Sequence, residues 1–87
     1  MKGKTESGFE FDVDKEVFDD MELLDALTEA DRGSMTAVSE ACVKILGKQQ
    51  RQKLYDHLRQ ENGKVPIKLV SKEIINIMKL LGEEGKN

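Results

Sequence analysis

The chain has 87 residues, 38% of them apolar and 36% charged, with a net charge of −3. That length carries one domain with a modest core and excludes two; Leu, Ile, Val and Met recur throughout, which excludes intrinsic disorder. The apolar runs fall far short of the ~20 residues that a bilayer-spanning helix needs, and a single cysteine, Cys42, excludes an internal disulfide.

The charge is unevenly spread. Residues 1–46 hold 5 Lys/Arg and 12 Asp/Glu, a net of −7, whereas residues 47–87 hold 9 and 5, a net of +4. An acidic half and a basic half suit head-to-tail self-association or a partner of complementary charge, although the same charges also serve simply to keep helix surfaces wet. The start Met1-Lys2-Gly3-Lys4-Thr5 has no apolar stretch, so no signal peptide is expected and the cytoplasm is the expected compartment.

Residues 1–13 read as extended chain. Phe9, Phe11 and Val13 alternate with Glu10 and Asp12, the period of a strand, and Ser7-Gly8 before them is a turn signal. Lys2 to Thr5 can pair back as the other arm of a hairpin. An isolated hairpin is marginal, so the Phe9/Phe11/Val13 face must rest on helices or on another copy.

The helical body is expected over 14–82. Asp14 is the expected N-cap of a first helix with Glu16 in its first turn, and Val17, Met21, Leu24 and Leu27 make its apolar face. Gly33 ends it and Ser34 caps the next. The second helix spans about Met35 to Leu46, with Val38, Ala41, Cys42 and Ile45 as its stripe and Gly47 as its C′ glycine. A third, outer helix covers about Lys48 to Gln60 with a narrow stripe of Leu54, Tyr55 and Leu58, and Asn62-Gly63 ends it. Pro66 fits N1 of a fourth helix, whose stripe is Ile67, Val70, Ile74, Ile77, Met78 and Leu81 before Gly82 closes it. Residues 83–87 form a polar tail expected to fray. The fold expected is a single mainly α domain, a small bundle of about four helices with a short N-terminal β-hairpin.

The fourth helix has more apolar residues than one core face needs. At ~100° per residue, Leu69, Glu73, Asn76 and Leu80 form a row nearly opposite the core stripe, with Lys68, Lys72 and Lys79 on the adjacent flank. Exposed leucines beside a basic row suit docking of an amphipathic partner helix, against the ordinary occurrence of scattered exposed Leu. This row, its lysines, and Phe9 and Phe11 are the candidate protein-contacting residues.

The residue types for chemistry are sparse. His57, the single histidine, sits in a polar helix and reads as a solvated surface residue; one His and one Cys do not make a structural zinc site. Cys42 lies on an apolar stripe and reads as an inert core residue. The glycines are isolated near element ends, with no phosphate-cradling loop. Aligning Gly63 with the sixth position of an EF-hand loop puts Leu58 and Leu69 where calcium needs carboxylates, which excludes that reading. Lys44, Lys48, Arg51, Lys53, Arg59, Lys64 and Lys68 make nucleic acid the more serious rival partner, opposed by an overall pI near 5.2 and by Tyr55 as the span's lone aromatic. No catalytic residue, cofactor, metal or membrane contact is expected.

Several segments together carry a family resemblance. Phe9-Glu10-Phe11 precedes an acidic, leucine-rich Phe18-Asp19-Asp20-Met21-Glu22-Leu23-Leu24-Asp25-Ala26-Leu27; Lys44-Ile45-Leu46-Gly47 precedes a Gln-rich start; and Leu58-Arg59-Gln60-Glu61-Asn62-Gly63-Lys64-Val65-Pro66 leads into an apolar helix. In this order they resemble the small tail assembly chaperones of long-tailed bacteriophages and prophages of Gram-positive bacteria, over about Phe9 to Leu81. The last segment is similar to the family's Leu-Arg-Asp-Glu-Asp-Gly-Arg-Val-Pro, with Gln60 and Asn62 standing where the family has acidic residues. The resemblance implies a non-enzymatic protein that binds the tape measure protein before the tail tube polymerises. It would keep that protein's apolar helices soluble, help recruit tail-tube subunits, form homo-oligomers, and act in the host cytoplasm while being absent from the mature virion. It also implies that a programmed frameshift can make a longer form, of which this chain would be the short one. The alternatives are a small nucleic-acid-binding phage regulator and a structural head–tail component.

Overall fold

The computed structural model describes residues 1–84, with side chains described through Gly82. The elements run β1 (Lys2–Lys4), β2 (Glu10–Asp12), a 3-10 turn (Lys15–Phe18), α1 (Met21–Asp31), α2 (Met35–Leu58) and α3 (Ile67–Glu84). The chain is mainly helical with a short antiparallel N-terminal hairpin, as its sequence pattern implies.

In the hairpin, Lys2 pairs with Asp12, Gly3 with Phe11 and Lys4 with Glu10. Thr5 donates its N–H to the Phe9 carbonyl (2.9 Å), and Gly8 donates to Thr5 (2.9 Å), closing a three-residue loop at Glu6-Ser7-Gly8. Gly3 is where Phe11 crosses the partner strand: a Cβ there would stand 2.5 Å from Phe11 Cζ. The hairpin rests on helices rather than on another copy. Phe9, Phe11 and Val13 are 5%, 3% and 5% exposed and belong to the same core as Leu23, Leu54 and Ile77.

The first helical segment departs from expectation. Asp14 caps the 3-10 turn by accepting from Glu16 N (3.0 Å), and the chain then bends at Asp19. Asp20 makes a second cap, accepting from Glu22 N (2.9 Å), and starts α1 there. This restart shifts the helix phase. The expected stripe divides: Val17 and Leu27 pack against the core, while Met21 and Leu24 are 68% and 54% exposed, and Leu23 and Ala26 face inward instead. Gly33 and Ser34 behave as expected, the Ser34 hydroxyl accepting from Ala37 N (3.3 Å).

The expected second and third helices are the two arms of α2, which meet at Gly47 (φ 77°, ψ 166°), a non-helical backbone open essentially only to glycine. Two side chains tie the arms. Gln50 Nε2 donates to the Leu46 carbonyl (3.0 Å) and to the Asp12 carbonyl (2.8 Å), while its Oε1 accepts from Asp12 N (2.8 Å). Gln50 thus satisfies a carbonyl at the kink and fastens β2 to the second arm. Arg51 donates to Ser39 Oγ (3.2 Å) across the kink and lies over the Tyr55 ring at 5.5 Å. At the end of α2, hydrogen bonds from Arg59 and then Gln52 hold the Asp56 carboxyl below its ordinary range. The second arm is not merely an outer helix, because Leu54 is fully buried and Leu58 is 7% exposed.

Pro66 stands immediately before α3, its carbonyl accepting from Leu69 and Val70. Val70, Ile74, Ile77 and Leu81 are buried as expected, but Ile67 is 49% exposed. Gly82 does not close this helix, whose backbone continues through Glu84; the remainder of the expected frayed tail, 85–87, lies outside the described residues. α1 and α3 both pack on α2, and the hairpin packs on α2 and α3.

Gly47→Ala should lower the unfolding free energy by about 1–3 kcal/mol through backbone strain, whereas Gly82→Ala, on an exposed helical turn with open space around it, should raise it by about 0.5–1 kcal/mol. Urea titration followed by circular dichroism measures both, and equal effects at the two glycines would contradict the kink assignment.

Candidate functional site

α3 presents apolar side chains on three sides. The core side is Val70, Ile74, Ile77 and Leu81. A second side is the row Leu69, Glu73, Asn76 and Leu80, which the sequence pattern offers as an open docking surface. The hairpin covers it. Glu6 N donates to Asn76 Oδ1 (2.7 Å), Ser7 Oγ donates to Glu73 Oε1, Glu73 is only 5% exposed, and Leu69 and Leu80 are half-buried against the core. The hairpin is too small to stand alone and takes the support this row gives it. Phe9 and Phe11, offered as contact residues, are likewise internal for the same reason. Lys68, Lys72 and Lys79 remain exposed on the adjacent flank.

The same contact gathers Ser7, His57 and Glu73, the residue types of a hydrolytic triad. The wiring is different. His57 Nε2 lies 3.1 Å from Ser7 Oγ and 3.1 Å from the Ser7 carbonyl, which can only accept, so Nε2 carries the proton and is no base toward the serine. Glu73 bonds to the serine rather than to the histidine, opposite to the order a triad needs. His57 also stacks on Phe9, with ring centroids 5.8 Å apart. The group is a clasp that holds the hairpin on α2 and α3. No local signal in the sequence points to it, since Ser7 and Glu73 are 66 residues apart.

Cys42 is fully buried. Burial pushes its thiol up to about 11, with Arg51 opposing weakly. Among the described residues, no group of His, Cys, Asp and Glu side chains could hold a metal ion. No described helix is long and apolar enough to cross a membrane.

The third side of α3 faces an open groove. A cavity of about 320 Å³ is lined by Leu27, Ala30 and Asp31 of α1, Val38 and Ala41 of α2, and Ser71, Ile74, Ile75 and Met78 of α3. A smaller hollow of about 240 Å³ continues from it through Val38 to Met35, Ser39, Tyr55, Val65, Ile67 and Val70. Met35 (66%), Ile75 (52%) and Ile67 (49%) are exposed along this path, and Leu24 and Met21 extend the apolar surface over α1. Apolar exposure along a groove with few polar groups is a pattern shared by binding surfaces in general. Ile75 is the residue that reading α3 by its core stripe leaves unplaced. It follows Ile74, and only the position of α1 makes its side of the helix a groove wall.

No protein-family model matches this chain, and neither does any curated protein or solved structure.

Ser7→Ala leaves Glu73 without its described partner in a buried setting, and should cost about 1–3 kcal/mol in urea-unfolding experiments. For Cys42 the folded thiol holds its proton more tightly than the unfolded one, so the associated stability is complete below pH 9.0 and is lost as pH rises toward about 11. Alkylation of Cys42 at pH 8 should therefore be far slower in the native protein than in urea, as mass spectrometry can follow; equal rates would show that the thiol is accessible.

Proposed function

We propose that this chain is a non-enzymatic tail assembly chaperone of a phage or prophage, and that the groove between α1 and α3 receives an apolar helical segment of the tape measure protein. The observation that carries this reading is the run of exposed apolar side chains at Met35, Ile67 and Ile75 along a preformed groove. A helix docks in such a groove through apolar side chains at i, i+3/i+4 and i+7. The methionines suit a client whose segments differ in detail, because an unbranched thioether repacks easily. The resemblance across Phe9 to Leu81, above all Leu58-Arg59 through Val65-Pro66, supplies the client and the host cytoplasm as the place of action. That segment shapes the turn from α2 into α3 and so the end of the groove at Val65 and Ile67. Recruitment of tail-tube subunits and absence from the finished virion belong to the same proposal.

Co-expression with a tape measure protein of the same phage or prophage should move that protein into the soluble fraction. Met35→Asp/Ile75→Asp, at two exposed positions, should remove the effect while leaving the helical signal intact. A folded double variant that solubilises the client as well as the wild type would rule out the groove, and abundant chain in purified virions would favour a structural role.

A further inference from the structure

Among the described residues, the large apolar side chains left exposed are Met21, Leu24, Met35, Ile67 and Ile75, and the two most exposed of them are both methionines, Met21 at 68% and Met35 at 66%. Their places differ. Met35 lines the smaller hollow with Val38, Ile67 and Val70, whereas Met21 stands at the start of α1 and lines neither hollow of the groove. The other two methionines, Met1 and Met78, are half-buried and pack against the core. Cys42, the one remaining sulfur, is fully buried. Accessible sulfur is thus concentrated at two positions, one in the groove and one outside it. A thioether takes up oxygen under mild conditions, and the valine and isoleucine around Met35 do not.

We propose that Met35 is an oxidation site whose sulfoxide closes the groove to its client. This switch rests on the reading that the groove holds an apolar helix. The oxidant is a peroxide. The Met35 sulfur attacks one peroxide oxygen, the O–O bond breaks as the S–O bond forms, and the second oxygen leaves as water; the sulfur loses two electrons and the peroxide gains them. Two thiols of a sulfoxide reductase reverse the step, removing the oxygen as water and ending as a disulfide. The fold tolerates the product. Met35 is the first residue of α2, directly after the Ser34 cap, and most of its surface is already in water, so the new S–O dipole stays solvated in the free protein. A helix lying over Met35 removes that water. The hollow that then surrounds the sulfoxide is apolar at Val38, Val65, Ile67 and Val70 and polar only at Ser39 and Tyr55. The oxygen exchanges open water for a surface poor in donors, which is unfavourable. The cost of oxidation therefore falls on binding and not on folding.

Dilute hydrogen peroxide, followed by peptide mass spectrometry and circular dichroism, tests the chemistry. Met21 and Met35 should each gain one oxygen several-fold faster than Met1 and Met78, with the helical signal unchanged. Solubilisation of the tape measure protein tests the consequence. Treated wild type should hold that client less well by on the order of tenfold, and a sulfoxide reductase with a thiol should restore it. Met35→Leu should hold the client equally before and after peroxide, whereas Met21→Leu should lose it on treatment as the wild type does. Oxidation of Met35 no faster than Met78, loss of the helical signal, a treated wild type that still holds the client, or a treated Met35→Leu that releases it would each overturn the inference. An untreated protein that never holds the client counts against the proposed function instead. The switch is then read with Nile red, a neutral apolar dye: its fluorescence on the wild type should fall on oxidation and on Met35→Leu should not, and an unchanged wild-type signal overturns the switch by itself.

Discussion

Phe9 and Phe11 lie inside the core because the hairpin that bears them has docked on α2 and α3, and that docking decides which surface of the protein is left open. α3 has apolar side chains on three sides and a chain of this length has too few elements to cover all three. α2 takes the side of Val70, Ile74 and Ile77. The hairpin takes the side of Leu69 and Leu80, clasped there by Ser7 on Glu73 and Glu6 on Asn76. Among the described residues nothing covers Ile67 and Ile75, which remain half exposed. The open groove is therefore a consequence of where the hairpin sits.

The kink in α2 makes both contacts available at once. Its first arm, from Met35 to Leu46, gives the groove its floor through Val38 and Ala41. Its second arm turns away at Gly47 and gives the hairpin a seat, with Gln50 bonded to both the N–H and the carbonyl of Asp12 as a neighbouring strand would be. A straight helix of the same residues would not keep this geometry, in which Gln50 reaches the Leu46 carbonyl and the β2 edge together. The kink costs backbone freedom that glycine alone tolerates, and the Arg51–Ser39 and Gln50 bonds fix the angle.

Much of this architecture was legible in the sequence because it rests on local chemistry. The Gly33-Ser34 stop and start, the break at Gly47, the placement of Pro66 and the alternation at Phe9, Phe11 and Val13 are each decided by neighbouring residues. The misreadings share one cause, which is that two locally valid options were settled by contacts distant in sequence. Asp14 and Asp20 are equally good caps, and choosing Asp20 rotates Leu23 inward and Met21 outward. Likewise Leu69 and Leu80 read as spare apolar surface and Ile67 as part of the core stripe, whereas the hairpin covers the first side and Ile67 is left exposed with Ile75. Only the hairpin, tied to α3 across 66 residues, separates them. A buried glutamate amid such a row reads as a solvated charge until the serine that reaches it is located.

The exposed groove carries a risk as well as a use. Met21, Leu24, Met35, Ile67 and Ile75 leave large apolar area in water on a small protein, and such area is a nonspecific liability unless something covers it. The floor at Val38 and Ala41 and the walls at Leu27 and Ile75 belong to three different helices, so the contacts that hold the fold together also fix the shape of the area left open.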